Sequence, residues 1–313
     1  MEFFVRETQI DFVALRRPAY ALSLALLLLS LFSLSFRGMN MGLDFTGGTL
    51  VEVGFAHSVT TVEVSERLQT MGFPGVHLQH FGNDRDVLVR LPPAAEVDKN
   101  RIGQQIRDSL REPDGTTPEI RRVEMVGPQV GEELVEQGLL AVIYALMGIG
   151  VYIALRFERR FAIGAIIAIA HDSIITLGYF SLTGTQFDLA VLAALLAVIG
   201  YSVNDTIVVF DRIRDNLRKL RKADPVTVVN VSINETMSRT VMTSGTTLIV
   251  VIALLLFGGA QLHGFAMALL VGIVVGTYSS IYLASAVALD LGMNRRDVMP
   301  IDKDTGAPMD DGP

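Results

Sequence analysis

Six stretches of the chain are apolar enough and long enough to cross a bilayer, and they constrain everything else it can do. They cover residues 18–36, 137–155, 161–182, 189–210, 240–259 and 264–289. A hydrocarbon core about 30 Å thick takes about 20 helical residues. Backbone polar groups have no water to bond there, so each stretch must satisfy its own as a helix. Of the 313 residues, 50% are hydrophobic and only 19% charged, which is a membrane-protein balance.

Charge outside the runs sets their direction. Residues 1–17 end in Arg16 and Arg17 and place the N-terminus in the cytoplasm. Alternation then puts 156–160, 211–239 and the tail 291–313 inside, and 37–133, 183–188 and 260–263 outside. Arg156, Arg159, Arg160 and the basic cluster 212–222 fall in inside loops, and the two short outside loops hold no Lys or Arg. This agrees with the positive-inside rule. The first run is too long for a cleaved leader and no Ala-x-Ala site follows it, so it reads as a retained anchor. The end of the tail, 295–313, is expected to be disordered.

The long outside segment, 37–133, reads as a folded domain. After GLDFTGG come a strand at 49–55 and a helix at 60–71, whose Thr60 and Glu63 have the spacing of a capping box. Strands at 76–81 and 86–91 follow, joined through Gly82-Asn83-Asp84-Arg85, then a helix at 96–110 and a strand at 119–126. The order β-α-β-β-α-β is that of a ferredoxin-like module. Its two connections to the membrane part, 42–48 and 127–131, carry glycines and are expected to act as hinges.

Charges inside the spans are the candidate functional groups. Asn204 and Asp205 lie within the fourth span, and an Asp at the centre of a spanning helix costs about 2.5–3.5 kcal/mol. His171 and Asp172 lie close to the middle of the third. In the fifth, Glu235, Arg239, Thr243 and Thr247 share a helical face that needs something to meet. Asp205 with Arg239 is the strongest constellation: desolvation favours the neutral acid and a nearby guanidinium the carboxylate, so moving the arginine would switch proton affinity. A static ion pair is the alternative, and for Asp172 a purely structural set of hydrogen bonds. Small residues recur every four positions from Gly264 to Ala284, a stripe expected to admit a helix of a six-helix partner.

Several chemistries are excluded. There is no cysteine, no GxxxxGK[ST] loop and no paired-histidine zinc pattern, so neither a nucleotide, a resident cofactor nor a metal is expected. A net charge of −7 argues against nucleic acid as a partner.

Four segments carry a resemblance: GLDFTGGTL at 42–50, AHDSIITLGYFSLTG at 170–184, YSVNDTIVVFDRIRDNL at 201–217 and NETMSRTVMTSGTTL at 234–248. In that order and spacing the chain resembles the SecF family of protein-export membrane proteins. The resemblance implies half of a resistance-nodulation-division-type bundle, six helices with one outside domain, completed by the homologous SecD half. It further implies a multi-pass protein of the cytoplasmic (inner) membrane that is not an enzyme. Its role would be to couple an ion gradient, H⁺ or Na⁺, to late steps of Sec export. SecD, the SecYEG channel, YajC, the translocating polypeptide and membrane lipids would be the partners. On this resemblance Asp205 and Arg239 couple the ion, with Asp172 beside them. Asn204, His171 and Thr243 are supporting polar groups. Asp44, Phe45, Thr46, Gly47 and Gly48 form a signature turn. A half-transporter for lipids or small molecules is the alternative function, and a plain membrane scaffold a third, which predicts that Asp205 is replaceable.

Overall fold

The computed structural model describes residues 9–73, 75–92, 99–112 and 115–298. In chain order the elements are α1 (Arg16–Phe36), α2 (Leu43–Thr46), β1 (Gly48–Gly54), α3 (Thr61–Thr70), β2 (His77–Phe81), β3 (Asn83–Leu91), α4 (Lys99–Ser109) and β4 (Glu119–Val126). There follow α5 (Pro128–Arg156), α6 (Arg159–Thr183), α7 (Leu189–Lys219), α8 (Pro225–Phe257), α9 (Gly259–Tyr278), a π-helical segment Ser279–Ala284, α10 (Ser285–Asp290) and a 3₁₀ turn Arg295–Val298. The six expected spans are all present as helices, the last comprising α9, the π segment and α10.

Several helices outrun their apolar stretches, because their ends are capped and packed in water. Asp224 accepts the Thr227 N–H in front of Pro225, so α8 begins well before its apolar run. At the C-terminal end of α7, Arg212 and Asn216 each reach Glu235 of α8 at 2.6 Å. Arg156 pairs with Asp211 at 3.0 Å and Arg214 with Glu158 at 3.0 Å. Part of the basic cluster therefore ties helix ends together, each exposed pair contributing at most about 1 kcal/mol.

The outside domain is a four-stranded antiparallel sheet in the order β2-β3-β1-β4, the ferredoxin-like arrangement. Val51 and Val53 of β1 and Val87 and Val89 of β3 point to one face and are buried with Leu68 of α3 and Ile106 of α4. On the other face Arg121 meets the buried Asp86 at 2.5 Å. Two local expectations change. Glu63 does not complete a capping box: Thr60 accepts its N–H at 3.3 Å, but the Glu63 side chain pairs with Arg67 at 2.7 Å. β3 begins at Asn83, not at 86, because Gly82 alone makes the reversal with φ 79° and Asn83 Oδ1 accepts the N–H groups of Arg85 and Asp86. The expected start of α4 at 96 lies outside the described residues.

In the membrane part α6, α7 and the last span are the enclosed helices, whereas α5 and α8 are mostly bare. Serines form the seam of α1 on α6: Ser33 bonds Ser181 at 2.7 Å, and Ser30 fills the space that Gly178 leaves. The small-residue stripe of the last span is already occupied. Gly264 faces Val191, Gly272 faces Val198 and Gly276 faces Ser202, all on α7 of the same chain. Close approach was the correct inference from the stripe, but the helix it admits is internal.

The described ends of the chain, from residue 9 and up to residue 298, pack on the bundle, and the rest of the tail expected to be disordered, 299–313, lies outside the described residues. Phe12 and Val13 are buried against the bundle, and the Ile10 and Val13 N–H groups donate to Asn234 and Asn230 of α8. At the other end, the expected disordered tail begins with a docked turn. Arg160 pairs with Asp297 at 2.5 Å, and Val298 is buried while its carbonyl accepts from Arg218.

Candidate functional site

Asp172 is the most thoroughly engaged acid in the bundle. It is 1% exposed. One oxygen accepts Ser202 Oγ of α7 at 2.5 Å and Ser279 Oγ of the last span at 2.7 Å, and the other lies 2.9 Å from His171 Nδ1. An ionised Asp172 accepts from His171 Nδ1, and the buried His171 Nε2 is without a partner among the described residues. Three helices thus converge on one carboxylate. The π segment starts at Ser279, where the widened turn aims Ser279 and Ser280 inward. Ser280 bonds Thr206 of α7 at 2.9 Å.

Asp205 has a different setting. It is 5% exposed, and its Oδ1 accepts Thr240 Oγ1 of α8 at 3.0 Å, while Oδ2 has no partner. The expected ion pair with Arg239 is not formed among the described residues. Arg239 immediately precedes Thr240, so it stands about 100° round the helix axis from the residue that meets Asp205. It lies on the exposed face of α8. Thr243 is exposed too and bonds back to the Thr240 carbonyl at 3.0 Å. Asn204 lies on an exposed side of α7. Asp205 therefore stays inside while Asn204, Arg239 and Thr243 face outward from this chain. Glu235 belongs instead to the ion-pair layer at the C-terminal end of α7.

Those outward residues border an unpartnered strip. Ala193, Ala197, Gly200 and Asn204 are exposed along α7 and recur at helical spacing. Leu192 flanks the strip on one side, against Gly138 of α5, and Tyr201 on the other, bonded to Ser244 of α8. Nothing lies within 4 Å of where a Gly200 side chain would be. The chain thus has a small-residue stripe of the kind that admits another helix, on α7 and not on the last span.

The signature turn is a packed strap. Asp44 to Thr46 lie in α2, which Gly47 (φ 64°) closes before β1 starts at Gly48 (φ 115°). Phe45 is buried and stacks on Phe187 with ring centroids 6.0 Å apart. Gly131 would place a Cβ 3.0 Å from the Gly47 nitrogen, and Gly42 one 2.8 Å from the Asp188 Cβ. The glycines expected to serve as hinges here permit close packing, so the two connections are pressed together.

Sequence reasoning missed Thr240, Ser202, Ser279, Thr206 and Ser280. Hydroxyls are common in spanning helices, where they bond the preceding turn, so nothing in the sequence marks the ones that reach across.

With this geometry in view, two family models match: "Protein export membrane protein SecD/SecF, C-terminal" over residues 105–294 and "SecD/SecF GG Motif" over residues 32–59. The protein translocase subunit SecF of Vibrio alginolyticus is 50% identical over 309 residues, covering 98% of each chain. That of Escherichia coli O157:H7 is 45% identical over 92% of this chain and 90% of its own. The crystal structure of SecDF, a translocon-associated membrane protein from Thermus thermophilus, superposes with a TM-score of 0.83 at 38% identity. A super-membrane-facing form of SecDF superposes with a TM-score of 0.69. This chain is covered to 92% in both cases but spans only 39% of the SecDF chain. Near-complete coverage by SecF sequences, the GG motif at the strap and a half-bundle with an open face lead to one assignment: the chain belongs to the SecD/SecF family of protein-export membrane proteins, on its SecF side.

Proposed function

We propose that this protein is the SecF half of a SecD–SecF accessory of the Sec machinery, and that it couples a transmembrane ion gradient to late steps of polypeptide export. The observation that carries the reading is Asp205. Its Oδ2 is buried without a partner beside a helix face that none of the described residues covers. A second six-helix half, SecD, placed on Ala193–Ala197–Gly200–Asn204 would close the site and bring its own groups against Arg239. An acid with one bonded and one free oxygen takes up and releases an ion without dismantling the bundle around it. Asp172, with every oxygen bonded, is the fixed partner of this pair and holds α6, α7 and the last span in register.

The protein makes or breaks no covalent bond in this scheme. It sits in the cytoplasmic membrane with both termini inside, as the basic inside loops require. The carried ion is H⁺ or Na⁺. Ion uptake at Asp205 shifts α7 against α8, and the outside domain moves with it against an emerging polypeptide, with SecYEG, YajC and the surrounding lipids as neighbours. That SecDF superposes on this chain to different extents in its two forms supports such rearrangement.

The test is export of a secreted substrate into vesicles holding SecYEG, SecD and this protein, with and without an imposed gradient. Asp205→Asn keeps the bond to Thr240 and removes the titration. The variant is expected to assemble with SecD and to lose the response to the gradient. A gradient response equal to the parent's would exclude Asp205 as the coupling acid.

A further inference from the structure

The outer end of α7 is held by two carboxylates from different parts of the chain. Asp188 caps it in the ordinary way, its Oδ1 accepting the Val191 N–H at 2.9 Å. Asp44, from the strap that leads into the outside domain, accepts the Leu189 N–H at 3.1 Å through Oδ2. Helix N-termini leave their first amides unbonded and carry a partial positive charge, so a carboxylate stabilises them, and here two do. The strap is fastened on every side. Gly42 N–H donates to the Phe187 carbonyl at 2.6 Å and Phe187 N–H to the Asn40 carbonyl at 2.8 Å. Asn40 Nδ2 donates to the Gly184 carbonyl at 2.9 Å. Arg90 of β3 donates to the Met41 carbonyl at 2.7 Å, which joins the strap to the sheet.

We propose that Asp44 and Asp188 are positioning residues for α7, forming a two-carboxylate cap through which the placement of the outside domain reaches the helix that carries Asp205. The proposal rests on the ion-coupling reading of Asp205. From Asp188 to Asp205 is about 26 Å along a helix at 1.5 Å per residue, without a proline or a break between them. A displacement of the strap at one end is therefore delivered as a shift of a rigid rod, not absorbed in a loop. Gly42 makes the contact possible, since any side chain there would strike Asp188.

Burial pushes the Asp188 carboxyl above the usual range against the lowering effect of the Val191 N–H, and the Asp44 charge adds to the rise. The cationic groups at this mouth, Arg37 and Arg90, donate to the Leu182 and Met41 carbonyls and form no ion pair with either acid among the described residues. The titratable groups on the elements packed nearby, Glu132, Glu133 and Glu136 of α5 and His263 of α9, are exposed.

The experiment uses the full chain in lipid nanodiscs, with amide exchange at 189–191 and carbodiimide modification of Asp205 both read by mass spectrometry. Asp44→Ala is expected to raise exchange at 189–191 about tenfold, the loss of one cap bond, and to change the modification rate of Asp205 severalfold. Asp44→Asn, whose amide oxygen still accepts from Leu189, is expected to stay within about twofold of the parent in both. Exchange and modification unchanged in Asp44→Ala overturn the proposal, and so does faster exchange with an unchanged rate at Asp205. Should Asp44→Ala not fold, Asp188→Asn keeps the acceptor for Val191 and removes its titration. It is expected to flatten the pH dependence of the protection at 189–191, taken relative to intrinsic exchange at each pH, and an unchanged dependence also overturns the proposal. Neither readout needs export, so failure here is distinct from a gradient response retained by Asp205→Asn.

Discussion

Replacing Asp172 and Asp205 in turn separates an acid that holds the bundle from one that works inside it. Asp172 accepts from Ser202, Ser279 and His171, with every participant nearly sealed from solvent. Asp172→Ala strands those donors, each at a cost of about 1–3 kcal/mol. Ser279 recovers part of this through the Gly276 carbonyl, which it already reaches at 3.1 Å. The net loss is expected at about 3–5 kcal/mol, the range for removing one partner of a buried charged network. Asp172→Asn keeps one acceptor and should cost about 1–2 kcal/mol. Asp205→Asn loses no bond to Thr240 and removes a buried charge, so stability should change by less than about 1 kcal/mol. The assay is reversible unfolding in bicelles by denaturing detergent, with partner assembly as a control for correct folding. The reasoning is refuted if Asp172→Ala unfolds with the parent, or if Asp205→Asn costs as much as Asp172→Ala.

Gly272→Leu drives a side chain into Val198 and should destabilise the bundle by more than about 3 kcal/mol. Gly200→Leu, with nothing within 4 Å, should leave it intact while reducing SecD co-purification; equal effects of the two changes on stability would show the assignment of faces to be wrong. Arg121→Ala leaves Asp86 buried beside only Asn83 and should cost the outside domain about 1–3 kcal/mol, seen as earlier loss of its sheet signal on denaturation. The Ser58 hydroxyl, bonded at 2.6 Å, holds the Asp84 carboxyl below its usual range, so this bond contributes above the ordinary carboxylate pKa and is lost as pH falls through the lowered one. Ser58→Ala should return the Asp84 titration to the usual range, read by NMR, and an unmoved titration would remove the hydroxyl as its cause.

The sequence by itself determined the number of spans and the order of the outside domain. Each follows from local quantities: the length of an apolar run, and a period of two or of 3.6. It also located Asp172 and Asp205, because an acid within an apolar run is visible without a structure. Tertiary structure decided what those acids touch. Helical periodicity put Arg239 and Thr243 on a polar stripe but could not say which neighbour the stripe faces, and it is Thr240, one position round, that meets Asp205. The glycines from Gly264 to Gly276 announced close packing, yet only the fold shows that α7 fills them and that the open stripe runs through Ala193, Ala197 and Gly200. The physical reason is the same in both cases. A spanning helix fixes its own backbone bonds wherever it stands, so its sequence records the angle of every side chain about its axis but not the helix that lies across from it.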